Sequence, residues 1–131
     1  MSVTPSLAAG LVQLQALANF LDTGSSNATF VFYDDAKPAS VNVAANSSAK
    51  LVTLTFPKPC FKQLNADGIE LNQTDAALVI KAGTAVWARI YNGNGDAVAD
   101  FAVGTDITLA QPNLALGSTL MINSFVLKPT T

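Results

Sequence analysis

Residues 84–103 read Thr-Ala-Val-Trp-Ala-Arg-Ile-Tyr-Asn-Gly-Asn-Gly-Asp-Ala-Val-Ala-Asp-Phe-Ala-Val, two alternating runs on either side of a turn rich in asparagine and glycine. Successive side chains of a strand point to opposite faces, and Asn-Gly between two such runs is the strongest local hairpin signal. A chain built around this unit is not an all-helical bundle. Within the first run, Trp87, Arg89 and Tyr91 share one strand face, opposite Val86, Ala88 and Ile90. The aromatic–arginine row has two readings. It is a structural patch, with Trp87 and Arg89 stacked as a cation–π pair, or it is a surface patch that docks a partner or a sugar.

Shorter apolar runs repeat the pattern along the chain. Phe30-Val31-Phe32-Tyr33 predicts a first strand, ended by Asp34-Asp35 and Lys37-Pro38. Val41–Val43 allows a short strand in an otherwise small and polar stretch. Residues 51–56 alternate, with Val52, Leu54 and Phe56 on one side, and stop at Pro57. Residues 57–75 read as a long excursion with a short strand near Ile69–Leu71, and residues 77–81 as a further strand. Runs at 107–109 and 120–127 complete the set. Strands of this length at regular spacing predict a mainly β domain, an antiparallel two-sheet sandwich of jelly-roll or Ig-like order.

Ahead of the strands the period is helical. Leu7, Leu11, Leu14, Ala18 and Leu21 fall on one stripe of an N-terminal amphipathic helix, which Val12, Leu17 and Phe20 widen. Thr4 is the expected cap with Pro5 at the first helical position, and Asp22-Thr23-Gly24 the expected stop. This divides the chain into a helix over residues 1–24 and one β-sandwich domain over 25–131. Leu7, Leu11, Leu14 and Leu21 are the candidate protein interface. The stripe either covers the chain's own β-domain or lies against a neighbouring subunit.

The surface is unusual in charge. Of the 131 residues, 50% are hydrophobic and 12% charged, against about 25% charged in ordinary soluble chains. Mean hydropathy is +0.35. Little charge repulsion then opposes contact between subunits. The seven basic residues are scattered and the net charge is −2, so no patch dense enough for phosphate-backbone binding is expected. Residues 7–21 are too short and too polar for a transmembrane span. No basic region precedes the first apolar stretch, so no secretory signal is read, and the chain is expected to be made in the cytoplasm. On that reading the Asn-x-Ser/Thr triplets at Asn27, Asn46 and Asn72 are chance matches.

The sequence holds no histidine and one cysteine, Cys60. The commonest general base and metal ligand are thus missing, and neither an intramolecular disulfide nor a cysteine-based zinc site can be built. Asp34-Asp35 and Asp67–Glu70 read as turn chemistry, and 92–96 lacks the opening Asp and distant Glu of a calcium loop. No catalytic, cofactor or metal residue is predicted, and the chain is expected not to be an enzyme.

The segment Gly83-Thr84-Ala85-Val86-Trp87-Ala88-Arg89, the turn 92–96, Val98-Ala99-Asp100 and Val103-Gly104 together resemble the signature of small β-rich proteins encoded in tailed phages and prophages. Residues 14–24, 106–109 and the closing 118–125 strand extend the likeness. That resemblance implies a virion component assembled in the bacterial host cytoplasm, with other capsid or tail subunits as partners and homo-oligomeric or lattice association. A capsid decoration or cement protein is favoured over a tail subunit. The alternative is a host-surface or glycan-binding module using Trp87, Tyr33 or Tyr91. Neither reading involves nucleic acid or membrane.

Overall fold

The computed structural model describes residues 3–123 and 125–129; Met1, Ser2, Ser124, Thr130 and Thr131 lie outside the described residues. Among the described residues, one α-helix, α1 (Leu7–Leu21), precedes eleven short strands: β1 (Thr29–Tyr33), β2 (Lys50–Thr55), β3 (Phe61–Leu64), β4 (Ile69–Leu71), β5 (Ala77–Leu78), β6 (Gly83–Thr84), β7 (Trp87–Tyr91), β8 (Ala97–Ala102), β9 (Asn113–Leu114), β10 (Thr119–Leu120) and β11 (Phe125–Leu127). Every strand pair is antiparallel, in sheets ordered β2-β1-β7-β8, β11-β4-β3, β10-β5 and β6-β9. The chain is mainly β with one helix.

Helix α1 has the expected span but a different cap. Ser6 accepts the Ala9 N–H on its hydroxyl at 3.2 Å, so Pro5 lies just before the cap instead of at the first helical position. There its ring rests beside Gly10, one turn along. The stop is as expected: Asp22 closes the last turn and Gly24 takes φ +102°, the left-handed conformation that favours glycine.

The two central strands of the four-stranded sheet, β1 and β7, are buried on both sides. Phe30 and Phe32 of β1 and Ala88 and Ile90 of β7 face the main core, where they meet Phe56, Leu54 and Phe125. Phe30 is the hub of that core, with the rings of Phe32, Phe125, Phe101 and Phe56 centred 4.8, 5.1, 5.7 and 6.1 Å away. Helix α1 closes the same core through Ala18 and Leu21 and lies against β3 and β4. The opposite residues of β1 and β7 form a second, smaller cluster.

Several expected elements differ. The 84–91 run is broken at Ala85-Val86: β6 pairs with β9, whereas β7 pairs with β1 and β8. The 120–127 run, which includes the undescribed Ser124, divides between β10 and β11 in different sheets. Val41–Val43 is turn, and Ile107 makes only an isolated bridge to Val103. β3 had no counterpart in the sequence reading.

Candidate functional site

The hairpin's aromatic–arginine row lies under the 36–49 segment. Arg89 is 2% exposed. Its Nε donates to Asp100 Oδ1 at 2.6 Å and its Nη2 to Asp100 Oδ2 at 3.0 Å, the bidentate geometry of a strong ion pair. The remaining donors reach Val43 O at 2.8 Å and Ser40 O at 3.3 Å. The Asp100 carboxylate holds the guanidinium above its ordinary pKa. Trp87, 1% exposed, donates its indole N–H to Asp35 Oδ1 at 2.7 Å. The Tyr33 ring stacks on it at 4.5 Å, and the Arg89 guanidinium carbon sits 5.2 Å from its centroid. The expected cation–π pair is therefore present, inside the protein.

The Tyr33 and Tyr91 hydroxyls are 2.8 Å apart. Burial, reinforced by the Tyr91 hydroxyl, pushes the Tyr33 phenol well above its ordinary value. Of the row, Tyr91 alone is half-exposed; it borders an open groove of about 380 Å³ with Val41, Asn42, Ala45 and Lys50. Trp87 and Arg89 spend their hydrogen bonds on the chain itself. Arg89 fastens the 36–49 segment to the sheet and Trp87 ties down Asp35 just ahead of it, so neither is open as a platform for a sugar.

No family model, curated protein or solved structure matches this chain significantly. Its chemistry is accordingly read from its own residues.

The four helix leucines do not share one environment. Leu21 is 0% exposed and Leu14 rests against the main core, so both serve the chain's own fold. Leu11 is half-buried. Leu7, at 45%, is open to solvent, as are Val12 and Phe20. The helix thus packs on its own domain and offers only its outer flank to a neighbour.

A second apolar surface escaped the sequence reading. In the β5–β10 pair, Leu78 faces Thr119 and Ala77 faces Leu120. The alternating residues Leu78 and Ile80 are each 62% exposed; Met121, just after β10, is 40% exposed and Leu116, just before it, 68%. The intervening Val79 is 1% exposed and fills the core. Residues 77–80 are apolar on both rows, and that was the available signal. A surface strand is normally polar on its outer row.

Among the described residues, no group of three or more His, Cys, Asp or Glu could hold a metal ion, and no helix is long and apolar enough to cross a membrane. The acids make local pairs: Asp34 with Lys81 at 2.9 Å, Glu70 with Lys62 at 3.4 Å and Asp67 with Lys128 at 3.4 Å. Asp75 accepts the Thr55 N–H, and Asp22 the Cys60 N–H. Cys60 is buried, and burial, aided by Asp22, pushes its thiol up to about 12. It is a small core residue and not a nucleophile.

The 92–96 turn is an anchor. The Asn92 side-chain oxygen accepts the N–H groups of Asn94 at 3.0 Å and Asp96 at 2.9 Å, and Gly93 N–H donates to Leu21 O at 3.3 Å. A Cβ on Gly93 would collide with the carbonyl oxygens of Ser26 and Thr23, so the hairpin tip lies flush on the chain leaving α1.

Proposed function

We propose that this protein is a structural subunit of a tailed-bacteriophage particle, a capsid decoration or cement protein ahead of another head or tail subunit. It acts by protein–protein contact and carries out no catalysis. The observation that carries this reading is the pair of exposed alternating residues Leu78 and Ile80, with Met121 and Leu116 also exposed on either side of β10, on a chain with 12% charged residues. Contiguous exposed apolar side chains on a weakly charged surface mark a contact site more often than a free surface. The resemblance of the 83–104 segment to small phage and prophage proteins supplies the kind of assembly. In this reading the domain is a two-sheet antiparallel sandwich, with the sheets holding β1 and β4 facing each other across Phe30 and Phe125. The particle contact is a repeated one, so many weak copies give firm attachment.

Burial of Trp87 and Arg89 weighs against the glycan-binding alternative. The double substitution Leu78→Glu with Ile80→Glu tests the contact reading. Both side chains are solvent-exposed, so thermal unfolding should stay within about 0.5 kcal/mol of the parent, while incorporation into particles falls at least tenfold. Unchanged incorporation would remove this face from the account.

A further inference from the structure

The four-stranded sheet treats its two edges differently. Along the outer edge of β2, Ile80 N–H donates to Leu51 O at 2.8 Å and Asp75 N–H to Thr55 O at 3.0 Å, while Thr55 N–H reaches the Asp75 carboxylate at 2.8 Å. The chain's own 75–80 segment covers that edge. The edge formed by β8 is closed only at one end. There Ala102 N–H donates to Asp106 Oδ2 at 2.9 Å, and Ala102 O accepts from Asp106 and Ile107.

Main-chain groups two residues apart in a strand point the same way. Asp100 therefore directs its N–H and C=O outward as Ala102 does, and neither has a backbone partner among the described residues. The irregularity between Ile90 and Tyr91 ends regular pairing with β7 at Ala99, so the open stretch is Ala99 to Phe101. Beside it lies an open slot of about 540 Å³, lined by Asp100 and Phe101 and by β11.

Natural edges are blunted by lysine, proline or outward charge. β8 reads Ala-Val-Ala-Asp-Phe-Ala. Its one charge, Asp100, is turned onto Arg89 and its side chain is 5% exposed.

We propose that β8 pairs antiparallel with β8 of a second copy of this chain about a two-fold axis, the Asp100 N–H and C=O bonding the same strand of the second copy. The sheets then join as eight strands, four from each copy. A second copy suits this edge in hydrogen-bonding pattern and in charge. An antiparallel edge is its own complement under a two-fold. Ala97 is small, and the Ala99 and Phe101 side chains are turned onto the core and do not cover the edge. Each Asp100 arrives neutralised by its own Arg89, so two copies meet as ion pairs without net charge. The pairing is independent of the particle reading and occurs in the isolated protein.

Sedimentation of the purified chain up to about 1 mM, the range that detects even weak pairing, together with amide exchange at Asp100, tests this. A concentration-dependent dimer is expected, with Asp100 exchange slowing at least about tenfold as it fills, in line with a newly bonded amide. Ala99→Lys should remain monomeric. If that variant does not fold, the wild-type exchange measurement decides alone. A chain monomeric at every concentration, or a dimer that leaves Asp100 exchange unchanged, overturns the proposal.

Discussion

Arg89 is a charged side chain kept almost wholly out of water, and its cost is met by four hydrogen bonds from the guanidinium. Removing one partner strands the other. Asp100→Ala should therefore cost about 3–5 kcal/mol in urea unfolding, the range for breaking a buried pair. Asn92 works by geometry instead of charge. Asn92→Ala leaves the Asn94 and Asp96 N–H groups without their acceptor and should cost about 1–3 kcal/mol, while Asn92→Asp, which keeps the oxygen, should cost less. Cys60 links folding to pH. Its folded-state pKa, about 12, lies above the ordinary 9.0. The neutral thiol is favoured by folding, so its contribution is complete below pH 9 and is lost as pH rises toward 12. Comparison with Cys60→Ala should show the parent losing about 1.4 kcal/mol more per pH unit over that window; parallel pH curves would contradict the burial of the thiol.

At the scale of elements, α1 shows how a local rule can change sign. Glycine to alanine inside a helix usually gains about 1 kcal/mol. At Gly10 the new methyl would collide with the Pro129 ring, which leans on the helix. Gly10→Ala should be neutral or destabilising by thermal melting, and a gain near the helix value would show that the chain end is not held there.

Alternation made β1, β2, β7 and β8 readable, because one row of each faces the aromatic core around Phe30. It could not reveal that the other row of β1 and β7 is also buried. Tyr33, Trp87 and Arg89 are covered by the small, polar 36–49 segment, which carries no periodic signal of its own. β3 was missed because Phe-Lys-Gln-Leu is an exposed edge strand. Its pairing with β4 is set by the Asn65–Gly68 turn, where Asn65 N–H reaches Gly68 O at 2.8 Å. The breaks at Ala85-Val86 and within 120–127 occur where the chain passes between sheets, a property of topology to which apolar pattern is blind.

For the whole molecule, the helix stripe was the natural candidate for an interface, yet Leu14 and Leu21 serve the chain's own core. The strand after β4 supplies the open apolar row instead. Helix, core and Arg89 cluster thus account for the fold, and the β5–β10 face and the β8 edge are the surfaces that the two proposals assign to other chains. The proposed function depends above all on membership of a particle. Density-gradient fractionation of lysate from the cells that produce the chain, with quantitative mass spectrometry of each fraction, addresses it directly. The account predicts this chain in the particle band, in fixed ratio to the major shell or tail protein. Its confinement to the free-protein fractions, with assembled particles lacking it, would contradict the account.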